Sequence, residues 1–166
     1  MTNKVRNCRE LGLNMQKIVK YLMGNDNLIK LLYYNETSDP LSQPNLTSEQ
    51  KSNLIFNKLI KMVPRLDPQK TDKSQIAVMA RQSSSLGSNN EFKTVEISIE
   101  IFVPLSQWII NDDNLRPYAI MGEIQESLSG KNVNGLGRIR GGDFEYNFGT
   151  DEMSGFMQTF YITEYE

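Results

Sequence analysis

Histidine is absent from this 166-residue chain, and cysteine occurs once, as Cys8. The first absence removes the commonest general base, proton shuttle and transition-metal ligand together. A lone cysteine forms no internal disulfide and cannot build a cysteine-rich zinc site. Charge of one sign is also missing: 18 basic and 20 acidic residues leave a formal charge of −2. A nucleic-acid-binding domain is usually markedly basic, so bulk electrostatics do not point there, although a local basic patch stays open. The apolar runs are far shorter than the roughly 20 residues a membrane-spanning helix needs. Asn35-Glu36-Thr37 and Asn45-Leu46-Thr47 fit the glycosylation pattern, but no signal peptide is recognisable to deliver them to that machinery. The expectation is a soluble protein made in a reducing cytoplasm, with no membrane partner, no cofactor, no metal and no catalytic activity.

What is present is one dominant stretch, Phe92 to Val103, ending at Pro104. Val95, Ile97, Ile99, Ile101 and Val103 alternate with Thr94, Glu96, Ser98 and Glu100. Side chains of a strand point alternately to opposite faces, so the pattern predicts a strand with one buried and one wet or partner-facing side. At about 3.3 Å per residue it would reach roughly 40 Å, well beyond an ordinary strand.

The other elements order themselves around it. Leu11, Met15, Ile18, Val19 and Leu22 predict an amphipathic helix over residues 1–22, stopped at Gly24-Asn25. A second helix, from Asp26 to about Tyr34, takes Asn25 or Asp26 as its cap. After a proline-containing loop, Thr47-Ser48-Glu49-Gln50 has capping-box spacing and predicts a third helix running to about Met62. Gln75–Gln82 reads as a strand, the Gly-, Ser- and Asn-rich segment Ser83–Asn90 as an extended loop, and the long strand as its antiparallel hairpin partner. Leu105–Ile110 continues the strand or turns a corner. Asn111–Asn114 reads as a turn and helix cap, and Arg116-Pro117 opens a fourth helix packing Ile120, Ile124 and Leu128 and ending at Gly130. Phe144–Phe148 and Gly155–Glu166 close the chain as strands. The expected class is α+β: a mainly antiparallel sheet with a long β-hairpin, helices on one side and an N-terminal helical segment. Residues 1–166 are expected to form a single domain, with a helical part at 1–63 and a sheet-plus-helix part at 75–166.

Apparent chemical motifs dissolve on inspection. Gly135-Leu136-Gly137-Arg138-Ile139-Arg140-Gly141-Gly142 places Arg140 where a dinucleotide loop needs its third glycine, and Gly130-Lys131 is followed by Asn132, not Ser or Thr. A turn with two surface arginines, Arg138 and Arg140, explains it, with a phosphate or acidic partner as the sharper reading. Asp112 and Asp113 lack a ligand cluster and suit capping. A serine nucleophile would need lysine as its base, and no pattern supports one.

The candidate functional residues are therefore surfaces. Thr94, Glu96, Ser98 and Glu100 are a solvated face or, in an oligomer, a lumen wall or neighbour contact; acidic walls would let DNA pass without sticking. Trp108, the only tryptophan, is a core or interface anchor. Tyr161 and Tyr165 lie opposite Phe156 and Phe160 on the last strand, and apolar residues on both faces call for burial within the fold or between subunits. Arg138 and Arg140 form a candidate interface. Ser83, Ser84, Ser85, Leu86, Gly87, Ser88, Asn89 and Asn90 form a passive connector or a contact loop.

The order of elements resembles bacteriophage tail-terminator and head–tail joining (neck) proteins. The resemblance rests on Leu28–Tyr34 followed by Asp39-Pro40-Leu41, the strand Val95–Val103, Arg116-Pro117-Tyr118 opening a helix, and Gly135-Leu136-Gly137 after it. The three-helix start is longer than a minimal terminator needs. The resemblance implies a virion protein assembled in the host cytoplasm that forms a ring, commonly hexameric. Such a ring caps the tail tube protein, meets the head connector protein and lets DNA through its hole. Head-side adaptor or stopper proteins, and a protein- or DNA-binding module of other origin, are the competing classes.

Overall fold

A computed structural model describes residues 8–62, 72–85, 92–111, 114–133 and 136–165. The first helix, α1 (Cys8–Leu22), buries Met15, Ile18, Val19 and Leu22, a stripe at helical spacing. α2 (Asp26–Tyr33) starts where the Asn25 side chain accepts a hydrogen bond from Leu28 N at 3.0 Å, and it buries Leu28, Ile29, Leu31 and Leu32. Both helices give their buried residues to the same apolar cluster.

The third helix departs from expectation. Its capping box is intact: Thr47 Oγ1 accepts from Gln50 N at 3.2 Å and Gln50 Oε1 accepts from Thr47 N at 2.8 Å. Yet α3 (Ser48–Gln50) widens at once into a π-helical turn, Lys51–Ile55, and does not reach Met62. Asn57 takes a positive φ of 55° and its N–H bonds Ile60 O, which turns the chain. Leu59 and Ile60 are both buried, Ile60 at the start of a two-residue strand, β1 (Ile60–Lys61), and the preceding Leu59 O accepts from Ile76 N–H at 2.8 Å.

One sheet holds the order β1-β2-β3-β7-β6. β2 (Gln75–Ser85) runs parallel to β1 and antiparallel to β3 (Phe92–Pro104). β7 (Met153–Tyr165) pairs antiparallel along the whole of β3, and β6 (Ile139–Phe148) pairs antiparallel with β7. The chain is α+β with a mainly antiparallel sheet, as the order of elements predicted. β3 is central, so both its edges are paired.

Between β3 and α4 the chain turns a corner. A short 3₁₀ turn (Leu105–Gln107) leads into β4 (Ile109–Ile110), which pairs with β5 (Asn114–Leu115). α4 (Arg116–Leu128) has Leu115 as its N-cap with no side-chain capping bond, so Asn111–Asn114 is not the expected cap; Asn114 Oδ1 instead accepts from Leu115 N at 2.8 Å. Gly130 follows the helix at φ +76°, the left-handed conformation that suits glycine. Ile120, Ile124 and Leu128 of α4 join Ile18, Ile29, Ile97, Ile99, Ile101 and Phe160 in one apolar cluster. The helices thus cover the sheet face that carries Val95, Ile97, Ile99, Ile101 and Val103, and the opposite face carries the polar half of the alternation.

Candidate assembly surfaces

Strand register lays out the outer sheet face in rows. Gln82, Glu96, Tyr161 and Arg140 are neighbours across β2, β3, β7 and β6. The next rows are Met79, Ser98, Thr159 and Asp143, then Ala77, Glu100, Met157 and Glu145. Glu96, Glu100, Asp143 and Glu145 therefore share one face, opposed by the guanidiniums of Arg81 and Arg140, and the face is acidic. Arg81 sits at a register shift of β2, and its guanidinium lies 3.9 Å from Glu96 Oε1 and 3.5 Å from Met157 Sδ.

Within that face the four β3 candidates differ. Thr94, Glu96 and Glu100 are half-buried, whereas Ser98 is fully buried and its hydroxyl has no described partner. Ser98 is thus neither lumen wall nor neighbour contact in this chain: Met79 and Thr159 flank it across the sheet. Burial among Ala77 and Met157 raises the Glu100 carboxyl above its ordinary value, and Arg81 only partly offsets this. A raised carboxyl pKa means the folded chain holds its proton longer than the unfolded one. Stability from this site is present at low pH and lost as pH rises through the window above the ordinary carboxylate value. Glu100→Gln is therefore expected to raise the thermal midpoint at pH 7 and to flatten its fall between pH 4 and 7, measured by calorimetry across that range.

The remaining candidates scatter. Ser83, Ser84 and Ser85 belong to strand β2, not to a loop, because they pair with Val95, Thr94 and Lys93. Leu86, Gly87, Ser88, Asn89 and Asn90 lie outside the described residues, as do Asp112 and Asp113. Trp108 is partly buried against the core; its Nε1 donates to Val103 O at 3.0 Å and its ring lies 6.4 Å from Phe156. Arg138 and Arg140 are exposed, but they stand on a β-bridge and in strand β6, not in a turn. The glycines after them build a bulge: Gly141 and Gly142 have φ of 99° and 111°, and a Cβ on Gly141 would come within 2.7 Å of Thr159 O. Phe156 and Phe160 are buried among the helices, and Tyr161 is half-buried on the outer face; the Tyr165 backbone pairs with Phe92.

Two features escaped the sequence reading. Arg116 is buried, with Nε donating to Gln107 O at 2.9 Å, Nη1 to Leu31 O at 2.6 Å and Tyr34 O at 3.2 Å, and Nη2 to Thr37 O at 3.2 Å. Burial pushes it down to about 10, so it stays charged at neutral pH. The second is an aromatic patch on edge strand β6. Phe144 and Tyr146 are 59% and 57% exposed, each with its ring 5.8 Å from Phe156, and Tyr118 of α4, 47% exposed, lies 5.1 Å from the same ring. The alternation of Phe144 and Tyr146 with Asp143, Glu145 and Asn147 is readable, but it assigns the aromatics to one face without showing that they stay exposed there.

Among the described residues no helix is long and apolar enough to cross a membrane. No curated protein matches the chain. Residues 25–162, from the cap of α2 almost to the end of β7, match the sequence model of the YomW family. With so much of its length matched, the chain belongs to the YomW family and is phage-associated.

Proposed function

We propose that this protein is a ring-forming structural component of a tailed-phage neck, a tail terminator that caps the tail tube and joins it to the head connector. The observation that carries the reading is the outer sheet face: among the described residues helices cover one side only, and the long central strands present Glu96 and Glu100, with Asp143 and Glu145 of β6, on the other. Turned toward a lumen, such a face repels the phosphate backbone and lets DNA slide through without being held. The role is structural and not enzymatic, and its partners are other copies of the chain, the tube protein and the connector.

The test is addition of the purified protein to its cognate tube protein during polymerisation. Tubes are expected to stop growing and to carry the protein at one end in electron micrographs. Tubes of unchanged length with bare ends contradict the terminator role, and protein found instead on isolated portals would assign it to the head side.

A further inference from the structure

Both edges of the sheet are open among the described residues. β1 pairs with β2 only at Ile76 and Ala77, so β2 is unpaired on that side from Val78 onward. On the other edge, residues 130–132 bond or bridge to Arg138 and Ile139 of the β6 side, Ser129 Oγ donates to Gly141 O at 3.3 Å, and no described strand pairs with that edge beyond Gly141. An open strand edge is a template for pairing with another chain, and soluble proteins usually blunt it.

The two edges complement each other. Successive antiparallel steps from β2 to β3, β7 and β6 leave β6 antiparallel to β2. A second copy placed with the same face outward therefore continues the antiparallel sheet. On the outer face this sets acidic Asp143 and Glu145 of β6 against cationic Arg81, which is exposed on β2. On the helical face it sets protruding Phe144 and Tyr146 against an apolar groove of about 460 Å³ between α1 and β2, lined by Met15, Val78 and Ala80. The Tyr146 hydroxyl is held by Ser154 Oγ, which fixes the ring while leaving it exposed.

We infer that copies of this chain assemble head to tail, the β6 edge of one pairing with the β2 edge of the next and Phe144 and Tyr146 seating in the groove beside α1. The inference rests on the ring reading and names its interface. The antiparallel register that opposes Arg81 to Asp143 also opposes Ala80 to Phe144 and Val78 to Tyr146, so charge and apolar surface match together. The interface is heterologous, with different patches meeting, and closes into a ring when the rotation allows.

The experiment uses the full chain carrying Cys8→Ser. With Arg81→Cys and Asp143→Cys both present, oxidation is expected to give a covalent ladder up to the full ring, because directly opposed strand residues fall within disulfide reach. Each single variant gives no such ladder, and an equal mixture of the two gives only heterodimers. Without new cysteines, Arg81→Asp and Asp143→Arg are each expected to lower the assembled mass, and the combination to restore it; circular dichroism checks that each variant folds. A ring that persists in both charge variants and forms no 81–143 disulfide overturns the edge pairing and leaves the ring reading intact. Homodimers of a single-cysteine variant also overturn it, since they show like patches meeting. A wild-type chain monomeric alone and with tube protein overturns both.

Discussion

Arg116→Met is expected to lower the unfolding free energy by about 4 kcal/mol, and the thermal midpoint by roughly 10 °C for a chain of this size. The guanidinium is the shared donor for the carbonyls of Leu31, Tyr34, Thr37 and Gln107. Two of these belong to the C-terminal end of α2, where backbone carbonyls lack helical partners and the helix dipole favours a positive charge. Methionine matches the length of the stem but leaves buried acceptors without donors. Lysine keeps the charge but not the planar fork that reaches several carbonyls at once, so Arg116→Lys is expected to recover less than half of the loss. Urea unfolding of the three proteins measures this, and an unchanged midpoint for Arg116→Met would show that the carbonyls find other donors at no cost.

Gly155→Ala is the second large effect. Gly155 lies opposite Phe102 in the β3–β7 ladder, and a Cβ added there would fall well inside van der Waals contact with the Ile101 carbonyl oxygen. That atom is backbone of the central strand, so it yields only if the ladder separates. The cost is expected to exceed about 3 kcal/mol, at the upper end for overpacking, and to be seen as loss of soluble folded protein or a large fall in the urea midpoint. Gly122→Ala is the internal control. It is exposed on α4, a Cβ there meets nothing within 4 Å, and replacing a helical glycine is expected to stabilise by about 0.5–1 kcal/mol. Equal effects at the two sites would contradict the packing described for Gly155.

The sequence was most legible where one physical signal acted alone. Strict alternation from Val95 to Val103 revealed β3 and its buried face, and the Thr47–Gln50 spacing revealed a capping box that is present. It was least legible where two periodicities overlapped. Leu54, Ile55, Leu59 and Ile60 satisfy helical spacing, yet the Leu59 carbonyl is taken by Ile76 of β2, a tertiary bond that no local pattern announces. Alternation also assigns a face but not the size of the neighbours on it, so Ser98 looked wet while Met79 and Thr159 bracket it in the sheet. Gly141-Gly142 resembled a turn because paired glycines serve a bulge inside a strand equally well. Arg116 was legible only as the residue before Pro117 at a helix start, since three of its four carbonyl partners come from a loop and helix some 80 residues earlier in the chain.

The acidic outer face and the two sheet edges, open among the described residues, underlie the proposal that the protein works as a closed assembly of identical chains. Native mass spectrometry of the purified protein, alone and with cognate tube protein, tests this most directly. The expected result is one discrete species at a whole-number multiple of the 19.0 kDa chain mass, six being the multiple expected from the neck-protein resemblance. A single 19.0 kDa species under both conditions would contradict it.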